Sequence, residues 1–336
     1  MHHTKLIKRL TLCLVVSTVL FAPDTQAQTS MKKVRVNGAE LHYVEQGKGV
    51  AVIFVHGGLD DNRVWQPQME AFSQRYRTVA YSRRYNYPNA RLAPRSDYSA
   101  IVDADDLAAL IKKLRLGPAN IVGVSYGAYV ALFLAARHPD LVRSMVLSEP
   151  PLLRWLLELE AGQPLFTEIM TRVWEPATRG FQKGDEAGVE AAIDGFGELG
   201  YSGTDQKMTF ATLPPEVRSA LLENSLEWRA LTRSKDPFPS LSRNAVRRIK
   251  APTLLLSGQR SLALHGVLDS QLERLLPHEE RIILANATHE MWNEYPQECR
   301  SATLVFLAKH HTAAIRQSRP HLSRVSANHE PSVSSR

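Results

Sequence analysis

One recurring unit constrains this chain more than any other: a short apolar run ending in glycine or a polar turn, followed by a helical pattern. Val50 to Val55 is such a run, ending in His56-Gly57-Gly58. The form returns at Arg77 to Tyr81, Asn120 to Val124, Ser144 to Leu147, Thr253 to Leu256 and Arg281 to Leu284. Runs of this length with little polar alternation suit strands buried on both faces. Helical patterns lie between or after them at Val64 to Arg75, Ala100 to Leu114, Tyr126 to Arg137 and Pro296 to Ala308. Strands alternating with helices predict right-handed βαβ units around a mostly parallel sheet. A hairpin precedes the first unit: Val34-Arg35-Val36 and Ala39 to Val44 flank Asn37-Gly38, the pair that best supplies the positive φ angles of a tight turn.

The alternation fails between about Leu152 and Ala245, where no strand pattern is found. Helical segments at Pro151 to Glu160, Gly188 to Phe196 and Pro215 to Glu227, with Trp155, Trp174 and Trp228, predict a helical lid over the carboxyl edge of the sheet. That edge is where open α/β sheets bind ligands. At the amino end, Lys5, Lys8 and Arg9 precede an apolar run from Leu10 to Ala22, and Thr25-Gln26-Ala27 offers small residues for a peptidase. The expectation is a secretory signal over residues 1–27, cleaved after Ala27, and a secreted or periplasmic mature chain. The apolar run is short of the roughly 20 residues of a membrane span. The expected divisions are therefore 1–27 for the signal, 32–151 and 246–310 for the core, 152–245 for the helical cap, and 311–336 for a basic disordered tail poor in apolar residues.

With 336 residues, 44% of them hydrophobic, a sizeable core is available. The net charge of +7 is spread along the chain with only a mild excess at the ends, which argues against nucleic-acid binding. Cys13 leaves with the signal, so Cys299 is the one thiol of the mature chain and is read as structural. No metal-ligand spacing and no phosphate loop is found, and no cofactor is expected.

The chemistry centres on Gly123-Val124-Ser125-Tyr126-Gly127, which fits the G-x-S-x-G nucleophile elbow. A β-branched run precedes it and an alanine-rich helical pattern (Ala128, Ala131, Ala135, Ala136) follows, as that strand–turn–helix requires. An oxyanion needs two convergent N–H donors. Tyr126, the residue after the nucleophile, supplies one, and Gly58 is assigned as the other, with Leu59 as second choice. His56 is read as a brace for its loop. The candidates for general base past the lid are His265, His278, His289 and the tail histidines, and the role is assigned to His289, directly after the final strand pattern. The acid that orients it must hang from a neighbouring strand end. The usual slot, Gly258 to Leu264, holds no carboxylate, and Asp269 reads as helical. Glu149, at the end of the preceding strand in Ser148-Glu149-Pro150-Pro151, is assigned as the acid, leaving Asp60 and Asp61 as remaining candidates.

The HGG loop, the GVSYG elbow and the late THEMWNEYP segment together resemble the α/β-hydrolase superfamily, over about Lys33 to Lys309. The resemblance implies an α/β-hydrolase fold with its lid inserted after the strand carrying the acid. An acid after the earlier strand resembles haloalkane dehalogenases and some lactonases with a Ser-Glu-His triad. The chain departs from dehalogenases and epoxide hydrolases in carrying Ser125 where they carry a nucleophilic aspartate. It departs from many members again at Ser82-Arg83-Arg84-Tyr85-Asn86-Tyr87, where Arg83, Arg84 and Tyr85 are read as anchors of the loop. The expected activity is hydrolysis of an ester or lactone of a small hydrophobic substrate through an acyl-enzyme. Amide or C–C hydrolysis or cofactor-free peroxidation on the same triad, an inactive binding protein, and a surface-binding protein acting through its basic tail are the alternatives.

Overall fold

A computed structural model describes residues 30–201 and 207–318, so the expected signal segment lies outside the described residues. Eight strands form one sheet in the order β1-β2-β4-β3-β5-β6-β7-β8. They are β1 (Lys32–Val36), β2 (Ala39–Gln46), β3 (Ala51–Val55), β4 (Arg77–Tyr81), β5 (Ala119–Val124), β6 (Val142–Ser148), β7 (Thr253–Gly258) and β8 (Glu279–Leu284). The predicted hairpin forms β1 and β2, with Asn37 and Gly38 at φ 44° and 78°. It pairs antiparallel to β4, and from β4 through β8 every pairing is parallel.

The sheet is covered on both faces, as its continuous apolar strands require. In β3, Ile53 and Val55 enter one apolar cluster, while Val52 and Phe54 enter the other. β6 divides the same way, with Met145 and Leu147 on one side and Val146 on the other. Helices α1 (Gln66–Ser73), α2 (Ala100–Lys113) and α3 (Tyr126–Arg137) follow β3, β4 and β5. Phe72 of α1 packs beside Phe54, whereas Leu107 and Leu110 of α2 and Leu132 and Leu134 of α3 cover the opposite face. Each fully buried side chain of this kind contributes about 1.5–3 kcal/mol.

The long insertion between β6 and β7 holds helices and no strand among its described residues. It comprises α4 (Leu153–Leu156), α5 (Gln163–Ile169), α6 (Glu175–Lys183), α7 (Asp185–Glu198), α8 (Pro215–Glu223), α9 (Ser225–Thr232) and α10 (Arg243–Arg247). A π-helical turn, Met170–Trp174, joins α5 to α6. The chain then passes through α11 (Ala263–Leu275) and α12 (Met291–Glu294) to α13 (Pro296–Ser318).

The last helix runs to Ser318, past residue 310 where the core was expected to end. Ala313, Ala314, Arg316 and Gln317 are strong helix formers, and the first proline after Pro296 is Pro320, so nothing local ends the helix earlier. Residues 319–336 lie outside the described residues. Cys299, in the first turns of α13, is fully buried, and burial pushes its thiol up to about 12, a structural setting for a thiol. Among the described residues no helix is long and apolar enough to cross a membrane.

Candidate active site

The site is assembled at the carboxyl ends of the parallel strands. Ser125 sits between β5 and α3 with φ 50° and ψ −121°, a conformation that L-residues rarely adopt. Such strain persists only where the surroundings over-determine it. Ser125 N–H donates to Ser148 O at 2.7 Å, tying the elbow to the end of β6. The flanking glycines are sterically required. A Cβ on Gly127 would lie 2.2 Å from Val55 O, and one on Gly123 would lie 2.8 Å from the Gly127 carbonyl. The Ser125 side chain is half-buried, as an accessible nucleophile needs.

The residue after Ser148 is Glu149, also strained at φ 49° and almost fully buried. Its Oε1 accepts from Gly258 N–H at 2.7 Å, and its Oε2 lies 2.5 Å from His289 Nδ1. A hydrogen bond through Nδ1 turns Nε2 to the opposite side of the ring. Burial opposes ionisation of Glu149, but the His265 and His289 imidazoles and the Gly258 N–H outweigh it and bring the carboxyl down to about 2. Burial likewise opposes the charged form of His289, yet its hydrogen bond to Glu149 and that carboxylate's charge hold it above the ordinary value near 6.5. Ser125 makes no hydrogen bond to His289 among the described residues.

The His289 loop is itself held. Thr288 donates through its N–H and its hydroxyl to the two carboxylate oxygens of Glu294, at 2.8 and 2.9 Å. A Cβ on Gly258 would meet Ala287 O and Thr288 O at 2.6 Å, so only glycine lets this loop cross the end of β7. The slot that looked empty of a carboxylate is therefore where Gly258 receives both Glu149 and the histidine loop.

His265, on α11, stacks on His289 with ring centroids 4.4 Å apart and planes 18° apart. Burial drives its pKa down to about 3, so it is neutral and restrains the His289 ring. Glu149, His265 and His289 bring one possible metal-ligating atom each to within 4.8 Å of one another. The geometry does not suit an ion: lone pairs of stacked imidazoles lie in parallel ring planes, and Glu149 and His289 already engage each other.

The other acids make different contacts. Asp61 caps the short 3-10 turn Asn62–Trp65, pairs with Arg63 at 2.6 Å and accepts from Asn224 at 2.8 Å. Asp60 borders Gly57, and burial together with Glu290, Glu227 and Asp61 pushes its carboxyl well above the usual range. Neither makes a hydrogen bond or ion pair with His289 among the described residues, where its carboxylate partner is Glu149. Asp269 accepts from the Ser257 hydroxyl at 2.6 Å, and burial raises it to about 7.

The loop expected to carry an oxyanion donor follows β3. His56 braces it, with Nδ1 2.9 Å from Gly57 O and Nε2 accepting from Arg83 N–H at 3.0 Å. Tyr126 N–H begins α3 and so has no intrahelical acceptor. Gly58 N–H has no acceptor among the described residues. Leu59, the second choice for the donor, is excluded because its N–H already donates to Glu227 at 2.9 Å. Arg83, Arg84 and Tyr85 anchor their loop: Arg83 binds Asp103, Glu227 and Gly57 O, Arg84 grips both oxygens of Asp106, and Tyr85 donates to Ala93 O. Of the insertion's tryptophans, Trp155 is buried with Nε1 donating to Leu241 O at 2.7 Å. Trp228 packs against Trp174 and lies directly over Gly58. Sequence reasoning gave Gly258, His265 and Glu227 no role in the site, since no local pattern links them to the elbow.

A strained serine at a strand–helix turn, beside a carboxylate–histidine pair on neighbouring strand ends, defines the class as α/β-fold hydrolases. The model of the alpha/beta hydrolase fold family matches residues 50–292, and the chain belongs to that family. The 2-(acetamidomethylene)succinate hydrolase of Mesorhizobium japonicum is 28% identical over 284 residues, covering 82% of this chain and 94% of that protein. Among solved structures, Est816, described as an N-acyl homoserine lactone degrading enzyme, superposes with a TM-score of 0.63 at 21% identity, covering 82% of this chain and all of its own. Carboxylesterase CesB of Bacillus subtilis gives 0.63 at 20% identity, covering 83% of this chain and 91% of its own. At these identities the two structures speak to the fold.

Proposed function

We propose that this hydrolase cleaves a carboxylic ester or lactone of a small hydrophobic substrate through an acyl-enzyme on Ser125. His289 Nε2 takes the Ser125 proton as Oγ attacks the carbonyl carbon. Tyr126 and Gly58 N–H groups receive the oxyanion. Glu149 holds the Nδ1–H tautomer and stabilises the imidazolium. His289 then gives its proton to the departing oxygen, and a water activated by the same ring releases the acid. Trp228 and Trp174 offer an apolar wall above the loop. The observation that carries this reading is the 2.5 Å contact between His289 and Glu149 on the strand next to a strained Ser125.

A second reading has one specific support. The relative from Mesorhizobium japonicum is named for an acetamido substrate, and on that analogy the same triad cleaves an amide. Labelling with a fluorophosphonate, followed by mass spectrometry and turnover of matched esters, lactones and amides, tests both. Expected is one adduct on Ser125, absent in Ser125→Ala, with esters or lactones turned over at least tenfold faster than amides. No adduct and no turnover of any acyl substrate sinks the proposal; faster amide cleavage favours the second reading.

A further inference from the structure

We infer that Glu227, a carboxylate of the helical insertion, is a positioning residue of the oxyanion hole, so that the hole is complete only when the insertion is docked. The inference rests on the serine-hydrolase reading above. Glu227 lies on α9 and is fully buried. Its Oε2 accepts from Leu59 N–H at 2.9 Å and from Asn86 Nδ2 at 2.9 Å, and its Oε1 accepts from Arg83 Nη2 at 2.6 Å. Arg83 Nη2 also donates to Gly57 O at 2.7 Å.

Those contacts act on two successive peptide planes. A trans peptide points its C=O and N–H in opposite directions. Arg83 holds Gly57 O, so the Gly58 N–H in the same plane is aimed to the far side. Glu227 holds Leu59 N–H, which fixes the next plane. Leu59 sits at φ 59°, a strained value for a leucine that an outside partner must maintain. Trp228, the next residue after Glu227, stands over Gly58, where an added Cβ would lie 3.0 Å from its Nε1. The Arg83 guanidinium also lies 4.8 Å from the ring centroid of Tyr126, the residue carrying the other donor. One buried ion pair, half from the core and half from the insertion, thus braces both donor residues.

Glu227→Gln tests this. A glutamine keeps the shape but turns an NH2 group toward either Leu59 N–H or Arg83, so one clamp is lost. Glu227→Asp, which retains the charge but withdraws it by one methylene, is the second variant should the first fold poorly. Glu223→Gln is the control, since Glu223 ties α8 to Arg63 at 2.7 Å without touching residues 57–59. Three quantities are measured on the full chain: kcat and KM for a p-nitrophenyl ester, affinity for phenylboronic acid, and hydrogen exchange of the 55–60 segment. An oxyanion donor acts in the transition state, so kcat is expected to fall about 10- to 100-fold with KM within about twofold. Boronate affinity falls in parallel, loop exchange accelerates, and Glu223→Gln changes none of the three. Wild-type kcat and boronate affinity in Glu227→Gln overturn the inference, as does an equal loss in Glu223→Gln. If the unmodified protein neither turns over the ester nor binds boronate, the serine-hydrolase reading has failed, and unchanged loop exchange in Glu227→Gln then rejects the positioning role separately.

Discussion

At the scale of single residues, two carboxylates compete for the acid role, and their surroundings separate them. Glu149 is held down at about 2 and bonded to His289, whereas burial brings Asp269 up to about 7 and its partner is the Ser257 hydroxyl. Glu149→Gln is expected to lower kcat about a thousand-fold or more, because the histidine loses its tautomer and its charge partner. Asp269→Asn should stay within a few-fold of the parent. The pH profile carries the same information. His289 must be neutral to act as base, and Glu149 raises its pKa, so the acid limb of kcat/KM should fall above the ordinary 6.5. With Glu149 neutralised, burial dominates and that limb moves to lower pH. Near wild-type turnover in Glu149→Gln means a different acid. The sequence pointed to Glu149 by elimination, since the slot after β7 lacked a carboxylate. It could not show that Gly258, inside that slot, supplies the N–H that holds the glutamate.

At the scale of elements, the β5–elbow–α3 unit depends on backbones approaching closer than a methyl group permits. Gly127→Ala puts a Cβ 2.2 Å from Val55 O and 2.5 Å from His56 O, both backbone atoms at the end of β3 and the start of the loop that carries Gly57 and Gly58. Either α3 or β3 must move, and a loss of more than about 3 kcal/mol is expected, in the range of severe steric substitutions. Gly266→Ala is the counter-test. It lies within α11, has nothing within 4 Å of its added Cβ, and should stabilise the protein by about 0.5–1 kcal/mol. Urea unfolding of the two variants should therefore give opposite signs; equal effects contradict the steric reading of the elbow. Strands and helices were legible here because apolar periodicity and glycine position are local properties. The end of α13 was not legible, because no proline or glycine marks it near residue 310 and helix propensity continues to Ser318.

At the scale of the whole molecule, the insertion is bolted to the core by buried polar groups as well as by apolar packing. Asn224 and Glu227 of the insertion reach Asp61, Leu59 and Arg83 of the core, and Tyr129 of α3 donates to Pro239 O. The active site adds a pH-linked contribution to the stability of this assembly. A carboxyl whose folded pKa lies below its ordinary value stabilises the fold above that ordinary value, and the contribution disappears as pH falls through the folded pKa. For Glu149 that window runs from about 4.5 down to about 2. Thermal melts between pH 6 and 2 should show Tm falling more steeply in the parent than in Glu149→Gln within this window. Parallel curves would mean that the glutamate is not ionised in the folded protein.

The sequence by itself determined the sheet, its order of strand and helix, the insertion after β6, and the positions of Ser125, Glu149 and His289 at or just after strand ends. Periodicity, glycine punctuation and chain order are sufficient for that, because each acts over a few residues or along the chain. Only the tertiary structure decided that Leu59 N–H is taken and Gly58 N–H is not, that Gly258 meets Glu149, that His265 stacks on His289, and that Arg83 pairs with Glu227. Leu59 and Glu227 are 168 residues apart in the chain, and nothing local marks either for the other. Their pairing follows from burial: a carboxylate and a guanidinium enclosed together must satisfy each other and the nearest free N–H groups, and which groups are nearest is fixed by how the insertion folds back over the sheet.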